Sequence, residues 1–523
     1  MVGYNSIAAA LLDSAVTHRN RLALWCRGRM FSYREFFDAA KIIAATLISN
    51  NTANTNDRIA VLSDRTDTAY VGIVAALLAG AAYVPLSPRF PVARNRAILK
   101  ASGASTIICD ERNMPILRML FDGLPSLPRV ILPENNLVAP VPTHQFVRAD
   151  LNTTLPAGYS PKTTEDDLAY ILFTSGSTGV PKGVPISNRN VLQYVESATQ
   201  LSGVTPQDRN IQQVDLTFDL SVHDMFVTWL NGAALYSVPE NSTLMATRFV
   251  EEYEITSWLS VPTTAGLLKE AGALIPGSMP SLRTTFFCGE ALPSTTAETW
   301  AAAAPNSVIM NIYGPTEATV AFSVFHYLKN TRLPKVVPLG FPLPDQHMGL
   351  FDPEGARCNG GLGEICLSGS QVMSGYWEAP EITASRFFEA EGRRWYRTGD
   401  LGRYDSKLGY LFAGRVDRQV KIRGYRVELQ EIEHAVRCAT GSEMVAVVPW
   451  PIAADGAALG CIAFVMNLRG DSNLITQQFS QSLPDYMVPS EIVSIDSMPT
   501  NSNGKIDYLA LQNHLIERLR IDE

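Results

Sequence analysis

Leu168-Ala169-Tyr170-Ile171-Leu172-Phe173 runs directly into Thr174-Ser175-Gly176-Ser177-Thr178-Gly179-Val180-Pro181-Lys182-Gly183, and the junction joins two opposite textures. The first six residues are a short apolar run that reads as a buried strand. The next six are small or hydroxylic, so they bring backbone N–H and side-chain O–H donors close together, as phosphate oxygens require. Lys182 adds a positive charge at the end of the loop. A P-loop needs GxxxxGK[ST], whereas here Pro181 and Gly183 bracket the lysine, so this is a phosphate loop of another kind. Gly-Ser-Thr turns are common alone, but not with a buried strand before them and Pro-Lys-Gly after.

Outward from this junction, residues 1 to about 413 alternate helical apolar patterns with short β-branched or aromatic runs. Arg58-Ile59-Ala60-Val61-Leu62, Ser105-Thr106-Ile107-Ile108-Cys109 and Arg129-Val130-Ile131-Leu132 are examples. The alternation is that of a layered α/β domain. Between Pro133 and Lys162 the chain is proline-rich and aperiodic, which predicts a surface connection. After Gly414 the texture changes. A strand over 419–423 leads through Gly424 to a helix with Leu429, Ile432, Ala435 and Val436 inward and Glu431 and Glu433 outward, and strands over 444–448 and 461–465 follow. The fold class is α/β: a large multi-layer N-terminal domain, 1–414, joined by a hinge to a small α+β C-terminal domain, 415–523.

With 523 residues, 46% of them hydrophobic and 18% charged, the chain can bury a large core. A net charge of −8 lacks the basic excess of a nucleic-acid binder, so no such partner is expected. Seven cysteines without a CxxC pair speak against a disulfide framework or a zinc site and fit a reducing cytoplasm. The first apolar stretch lacks a basic flank and is interrupted by Asp13, so no secretory signal is read. Residues 68–88 carry no charge and are long enough for a membrane span. Gly72, Gly80 and the strand-like Ala82-Tyr83-Val84 before Pro85 and Pro88 predict instead a buried helix feeding a buried strand.

The loop, taken with Phe31-Ser32-Tyr33, Leu78-Ala79-Gly80-Ala81-Ala82-Tyr83-Val84-Pro85 and Asn503-Gly504-Lys505 in that order, resembles the adenylate-forming superfamily. That superfamily includes acyl-CoA synthetases, luciferases and the adenylation domains of nonribosomal peptide synthetases, and the resemblance covers nearly the whole chain. It implies that Thr174, Ser175, Gly176, Ser177, Thr178 and Gly179 hold the phosphates of ATP, with Gly289, Glu290 and Ala291 also at the nucleotide. In Asn311-Ile312-Tyr313-Gly314-Pro315-Thr316-Glu317 it implies that Tyr313 stacks on adenine, Asn311 bonds its edge beside Gly314, Thr316 contacts the α-phosphate and Glu317 helps hold Mg²⁺. In Tyr396-Arg397-Thr398-Gly399-Asp400 it implies that Asp400 accepts from the ribose hydroxyls, with Arg415 also reaching the sugar. Asp417 matches the hinge and Gly424 the phosphopantetheine channel. Lys505, in the C-terminal Asn-Gly-Lys loop, would bridge the substrate carboxylate and the α-phosphate, forming a catalytic set with Thr316 and Lys182. Alone, a Tyr-Gly-Pro-Thr turn, a Gly-Asp turn or an exposed lysine would be ordinary.

Phe218-Asp219-Leu220-Ser221-Val222-His223-Asp224 bears on the acid that is activated. By the resemblance, members that act on aryl or fatty acids lack a carboxylate at the place of Asp219, while amino-acid activating members use it to bind the substrate ammonium. A buried carboxylate is costly unless it meets a cation. A plain N-cap for the following helix is the competing reading. The resemblance places Leu220, His223, Ser260, Phe286, Cys288, Ile312, Val320 and Ala321 around the substrate side chain, a tight and mostly apolar pocket without a second carboxylate or an arginine. The surrounding runs look most like the D-alanine:carrier-protein ligases. His223 and Ile312 stand where those ligases have methionine and threonine, and Phe286 is bulkier than their usual residue. His223 is expected to sit as a neutral core imidazole. Alanine of either hand is the first expectation for substrate and proline a close second; one methylene discriminates by only about 1–3 kcal/mol, so pocket composition does not separate them.

The implied activity is ATP- and Mg²⁺-dependent adenylation of a small amino acid, followed by transfer to the phosphopantetheine thiol of a separate carrier protein. The chain stops shortly after Lys505, so no fused carrier is expected. The alternative enzyme is an acyl-CoA synthetase for an amino-free carboxylic acid, against which Asp219 speaks. A non-catalytic nucleotide sensor on the same fold is a third reading, against which Thr178, Lys182, Glu317, Asp400 and Lys505 speak together.

Overall fold

The computed structural model of the chain describes residues 3–49, 57–124, 126–133, 146–148, 153–176, 181–239, 245–329, 333–358, 360–452, 458–466, 468, 472–500 and 506–522. Two compact units hold them. One comprises Met1–Pro88, Ile98–Phe173 and Gly183–Val416, and the other Arg89–Ala97, Thr174–Lys182 and Asp417–Glu523.

In the first unit, strands separated by helices pair in parallel, since a helical crossover returns the chain to the same edge of the sheet. A seven-stranded sheet runs in the order Phe146–Arg148, Arg129–Leu132, Thr106–Cys109, Arg58–Leu62, Ala82–Leu86, Leu168–Thr174, Lys182–Ser187. The uncharged stretch 68–88 lies at its heart. The helix Asp67–Leu78 is buried from Thr68 to Leu78, and the strand Ala82–Leu86 is buried throughout and pairs in parallel with Arg58–Leu62. No helix among the described residues is long and apolar enough to cross a membrane. The connection after Pro133 is not wholly irregular as expected: Phe146–Arg148 pairs in parallel with Arg129–Leu132 and forms the sheet's edge. Three residues show no periodicity of their own, so only the pairing partner reveals them.

A second sheet of nine strands has a parallel centre, Val308–Tyr313, Thr284–Phe287, Ser257–Ser260, Arg209–Gln212, Ala234–Ser237 and Leu22–Cys26, closed at both ends by antiparallel neighbours. A third, antiparallel sheet is built on the long strand Arg393–Asp405, flanked by Gly363–Gly369, Phe387–Ala390 and Gly409–Arg415.

In the second unit, the hairpin Gln419–Ile422/Tyr425–Glu428 precedes the helix Leu429–Thr440 and a three-stranded sheet of Val445–Pro449, Cys461–Met466 and Glu491–Ile495. The strand Tyr425–Glu428 stands where the sequence suggested the start of the helix. Gly424 makes the tight return possible at φ +85°, a conformation glycine adopts without penalty. Leu429, Ile432 and Val436 face inward as expected, but Glu431 and Glu433 do not face solvent: both are buried. Glu431 is held by Arg94 at 2.7 Å. Glu433 Oε1 accepts from Arg418, the Val447 N–H and the Tyr508 hydroxyl. A helical wheel cannot show an arginine that arrives from 337 positions away.

Glu433→Ala removes the common acceptor of three donors. It should lower stability by about 3 kcal/mol in urea denaturation, whereas replacement of the exposed neighbour His434 should change it by less than about 0.5 kcal/mol.

Candidate active site

The helix after Phe218-Asp219 is not uniform. Short α-helical turns, Leu220–Val222 and Thr228–Leu230, are separated by a π-helical turn, His223–Val227. The wider turn inserts one residue and re-aims side chains, which is why such turns gather at functional sites. Asp219 lies just ahead, 8% exposed, and its side chain makes no capping hydrogen bond to the helix. That removes the N-cap as the reason for a carboxylate at this position. Tyr170 and Tyr194 feel its charge, and burial first, then their anionic neighbours, push both phenols well above their ordinary range.

Leu220, Phe286, Cys288, Ile312, Val320 and Ala321 belong to one buried cluster, so the tertiary structure brings together residues spread over a hundred positions. The His223 ring meets the Phe286 ring edge-on at 4.9 Å, and its Nδ1 lies 2.7 Å from the Tyr194 hydroxyl. Burial lowers the His223 pKa to about 3, so the ring is neutral as expected. Ser260 is the exception. It pairs in register with Phe287, not Phe286, and its hydroxyl accepts from the Trp258 indole on the face of a different core cluster. Strand alternation therefore turns Ser260 away from Phe286.

Val320 and Ala321 are positioned by a strained loop. Thr319 and Val320 have φ of 57° and 67°, a left-handed conformation that costs on the order of 1–3 kcal/mol for a non-glycine residue. The buried Gln371 holds it: the Thr319 hydroxyl donates to the Gln371 carbonyl at 2.7 Å, and Gln371 Nε2 donates to the Ala321 carbonyl at 2.7 Å. Gln371 was invisible to motif reading, because a lone glutamine in a loop carries no pattern. Gly314 lies against the same segment; a Cβ there would come within 2.8 Å of Ala321 Cα.

The residues of this unit that are expected at the nucleotide also converge. Tyr313 donates to Asp400 Oδ2 at 2.6 Å, and Arg415 bonds to Asp400 Oδ1, so both carboxylate oxygens are anchored. Asn311 Nδ2 donates to the carbonyls of Val337 and Pro338, which leaves its Oδ1 as the group able to meet an amino donor. Thr316 opens a single 3₁₀ turn, Thr316–Ala318, that places Glu317 in a fully buried position. Glu317 Oε1 accepts from the Tyr376 hydroxyl at 2.7 Å, and Tyr376 in turn lies 3.1 Å from the Tyr396 hydroxyl. Tyr376 is a second residue that the sequence did not disclose. Gly289 turns the chain at φ +91° ahead of Ala291, and Glu290 accepts from the N–H and hydroxyl of Thr263.

Thr174, Ser175, Gly176 and Lys182 belong to the second unit, as do Asp417 and Gly424. There Ser175 donates to the Arg426 carbonyl at 2.9 Å, and the Gly176 N–H reaches Glu431. Ser177, Thr178, Gly179 and Lys505 lie outside the described residues.

Residues 11–377 match the AMP-binding enzyme family. The chain belongs to that family. An L-proline--[L-prolyl-carrier protein] ligase of Streptomyces coelicolor is 35% identical over 520 residues, 95% of this chain and 94% of that protein. Surfactin synthase subunit 2 of Bacillus subtilis is 34% identical over 96% of this chain, which spans only 14% of that much longer protein. Among solved structures, the Vibrio cholerae adenylation domain AlmE in complex with glycyl-adenosine-5′-phosphate matches with a TM-score of 0.89 and 33% identity, covering 99% of both chains.

Gly314→Ala should destabilise the protein by about 1–3 kcal/mol in urea denaturation, because backbone rather than a flexible side chain blocks the added methyl. The depressed pKa of His223 sets a pH dependence with a definite sign. Its unfolded form binds a proton below about pH 6.5 and its folded form does not, so its contribution is present above that pH and is lost as pH falls. Between pH 6.5 and 4.5 the loss should reach about 2 kcal/mol, and His223→Gln should remove that part of the slope.

Proposed function

We propose that this chain uses ATP to adenylate a small, uncharged amino acid and passes the aminoacyl group to the phosphopantetheine thiol of a carrier protein. Asp219 carries this reading. A carboxylate buried beside an apolar cluster and released from any capping role is best stabilised by a cation, and the α-ammonium of an amino acid is that cation. The carrier-protein ligase of similar length and the adenylation domain holding glycyl-adenosine-5′-phosphate support it.

In the first step a substrate carboxylate oxygen attacks the α-phosphorus of ATP. The new P–O bond forms as the bond to the β-phosphate oxygen breaks, and pyrophosphate leaves with that electron pair. Tyr313 and Asn311 are the proposed adenine contacts, Asp400 and Arg415 the ribose contacts, and Thr316, Lys182 and Lys505 the groups that stabilise charge at the phosphorus. The loop from Thr174 to Gly179 and the turn at Gly289, Glu290 and Ala291 complete the proposed nucleotide site. In the second step the carrier thiol attacks the adenylate carbonyl and AMP departs. Asp417 is the proposed hinge and the turn at Gly424 the proposed thiol approach.

Mg²⁺ sites on nucleotides commonly use one or two carboxylates plus the phosphates, so the single buried carboxylate of Glu317 fits, its Oε1 held in place by Tyr376. When bound, the ion neutralises phosphate charge. Among the described residues no group of three or more His, Cys, Asp or Glu side chains gathers. A reducing cytoplasm is the proposed compartment; no disulfide forms among the described residues.

The sequence favours alanine or proline as substrate, which sets the assay. ATP–pyrophosphate exchange with a panel of glycine, serine, threonine, proline and both alanine isomers should show a clear responder. Asp219→Ala should lower its kcat/KM by at least roughly 30-fold. Exchange with simple carboxylic acids and none with amino acids would overturn the proposal in favour of an acyl-CoA synthetase.

A further inference from the structure

Neither alanine nor proline uses one polar feature of the proposed pocket, and any role for that feature in substrate choice rests on Asp219 binding an amino acid. Tyr194, on the helix Asn188–Ser202, and His223, at the head of the π-helical turn, form a buried pair. The 2.7 Å contact between the Tyr194 hydroxyl and His223 Nδ1 is the hydrogen bond that each side chain makes among the described residues. Two protons have to be placed, the phenol's and the one on the neutral imidazole. If Nδ1 held the ring proton and donated it to Tyr194, the phenol proton would be buried without an acceptor. If the phenol donates to Nδ1, that loss is avoided and the ring proton sits on Nε2, at the opposite edge of the imidazole.

The surroundings keep both groups neutral. Burial pushes the phenol up and the imidazole down, and the charged or ionisable groups near Tyr194 are Asp219, Asp224 and Cys288. The cluster around His223 offers the Nε2 proton little. Phe286 packs against the imidazole as a T-shaped ring pair, and the side chains of Leu220, Ile312, Val320 and Ala321 contain no acceptor. His223 retains 3% of its surface, and among the described residues its one side-chain hydrogen bond is that at Nδ1.

We propose that Tyr194 fixes His223 as the Nε2–H tautomer and that this N–H reads an oxygen acceptor on the substrate side chain, so that the amino acid activated is a small hydroxy amino acid. Serine and threonine are its simplest members. Tyr194 acts as a positioning residue and His223 as the specificity contact. A side chain without an oxygen leaves the buried N–H unsatisfied, whereas a β-hydroxyl meets it without the bulk that Phe286 excludes.

The test measures pyrophosphate exchange by the full-length enzyme with serine and alanine of both hands, threonine, glycine and proline. The expected result is a kcat/KM for a hydroxy amino acid at least about tenfold above that for alanine of the same hand. His223→Leu should bring that ratio to about one, and Tyr194→Phe should reduce it chiefly through KM for the hydroxy substrate. Nitrogen-15 NMR of histidine-labelled enzyme reads the tautomer without any assay. It should show Nε2 protonated and Nδ1 unprotonated at His223, a state weakened in Tyr194→Phe. This measurement holds even if His223→Leu does not fold. A protonated Nδ1, or exchange with alanine, glycine or proline at or above that of the hydroxy amino acids, overturns this proposal and leaves adenylation standing. Silence with every amino acid overturns both.

Discussion

A carboxylate taken out of water must be met by donors or by a cation, and the working parts of this molecule are arranged around that requirement. Asp400 is met by Tyr313 and Arg415, Glu317 by Tyr376, and Glu433 by Arg418, Val447 and Tyr508. These pairings tie together chain segments from 14 to 87 positions apart. The buried acids are therefore cross-links of the fold as well as candidate contacts for ligands.

Backbone precision is a second theme. The left-handed Thr319 and Val320 are unfavourable locally, and they persist because Gln371 grips the segment from both sides while Gly314 leaves room for it. The strain gives Val320 and Ala321 a defined place next to Ile312 and Phe286 in the same buried cluster. A flexible loop would leave two small apolar residues with a less defined position.

Motif reading located these neighbourhoods but not their wiring. Asn311, Tyr313, Glu317, Asp400 and Arg415 stand out because unusual residue types crowd into short runs. Gln371, Tyr376 and Tyr194 are single residues in unremarkable surroundings, and their importance comes only from what they touch. Ser260 shows the converse. Its sequence neighbourhood suggested the pocket, but strand register sends its side chain to the other face, where Trp258 waits. Glu431 and Glu433 were placed outside by a helical wheel and are buried by Arg94 and Arg418, because amphipathicity describes a helix alone, without the partners that neutralise its charges.

By itself the sequence determined the α/β layering of residues 58–132, the burial of the uncharged run 68–88 and the change of texture near Gly414. Continuous apolar runs, glycine turns and composition are local properties, and strands buried on both faces carry them openly. Only the tertiary structure decided which face each strand presents, which donor meets each buried acid, and that Tyr194 meets His223 at Nδ1. Those depend on contacts between residues tens to hundreds of positions apart, and a linear pattern holds no record of who will be opposite whom.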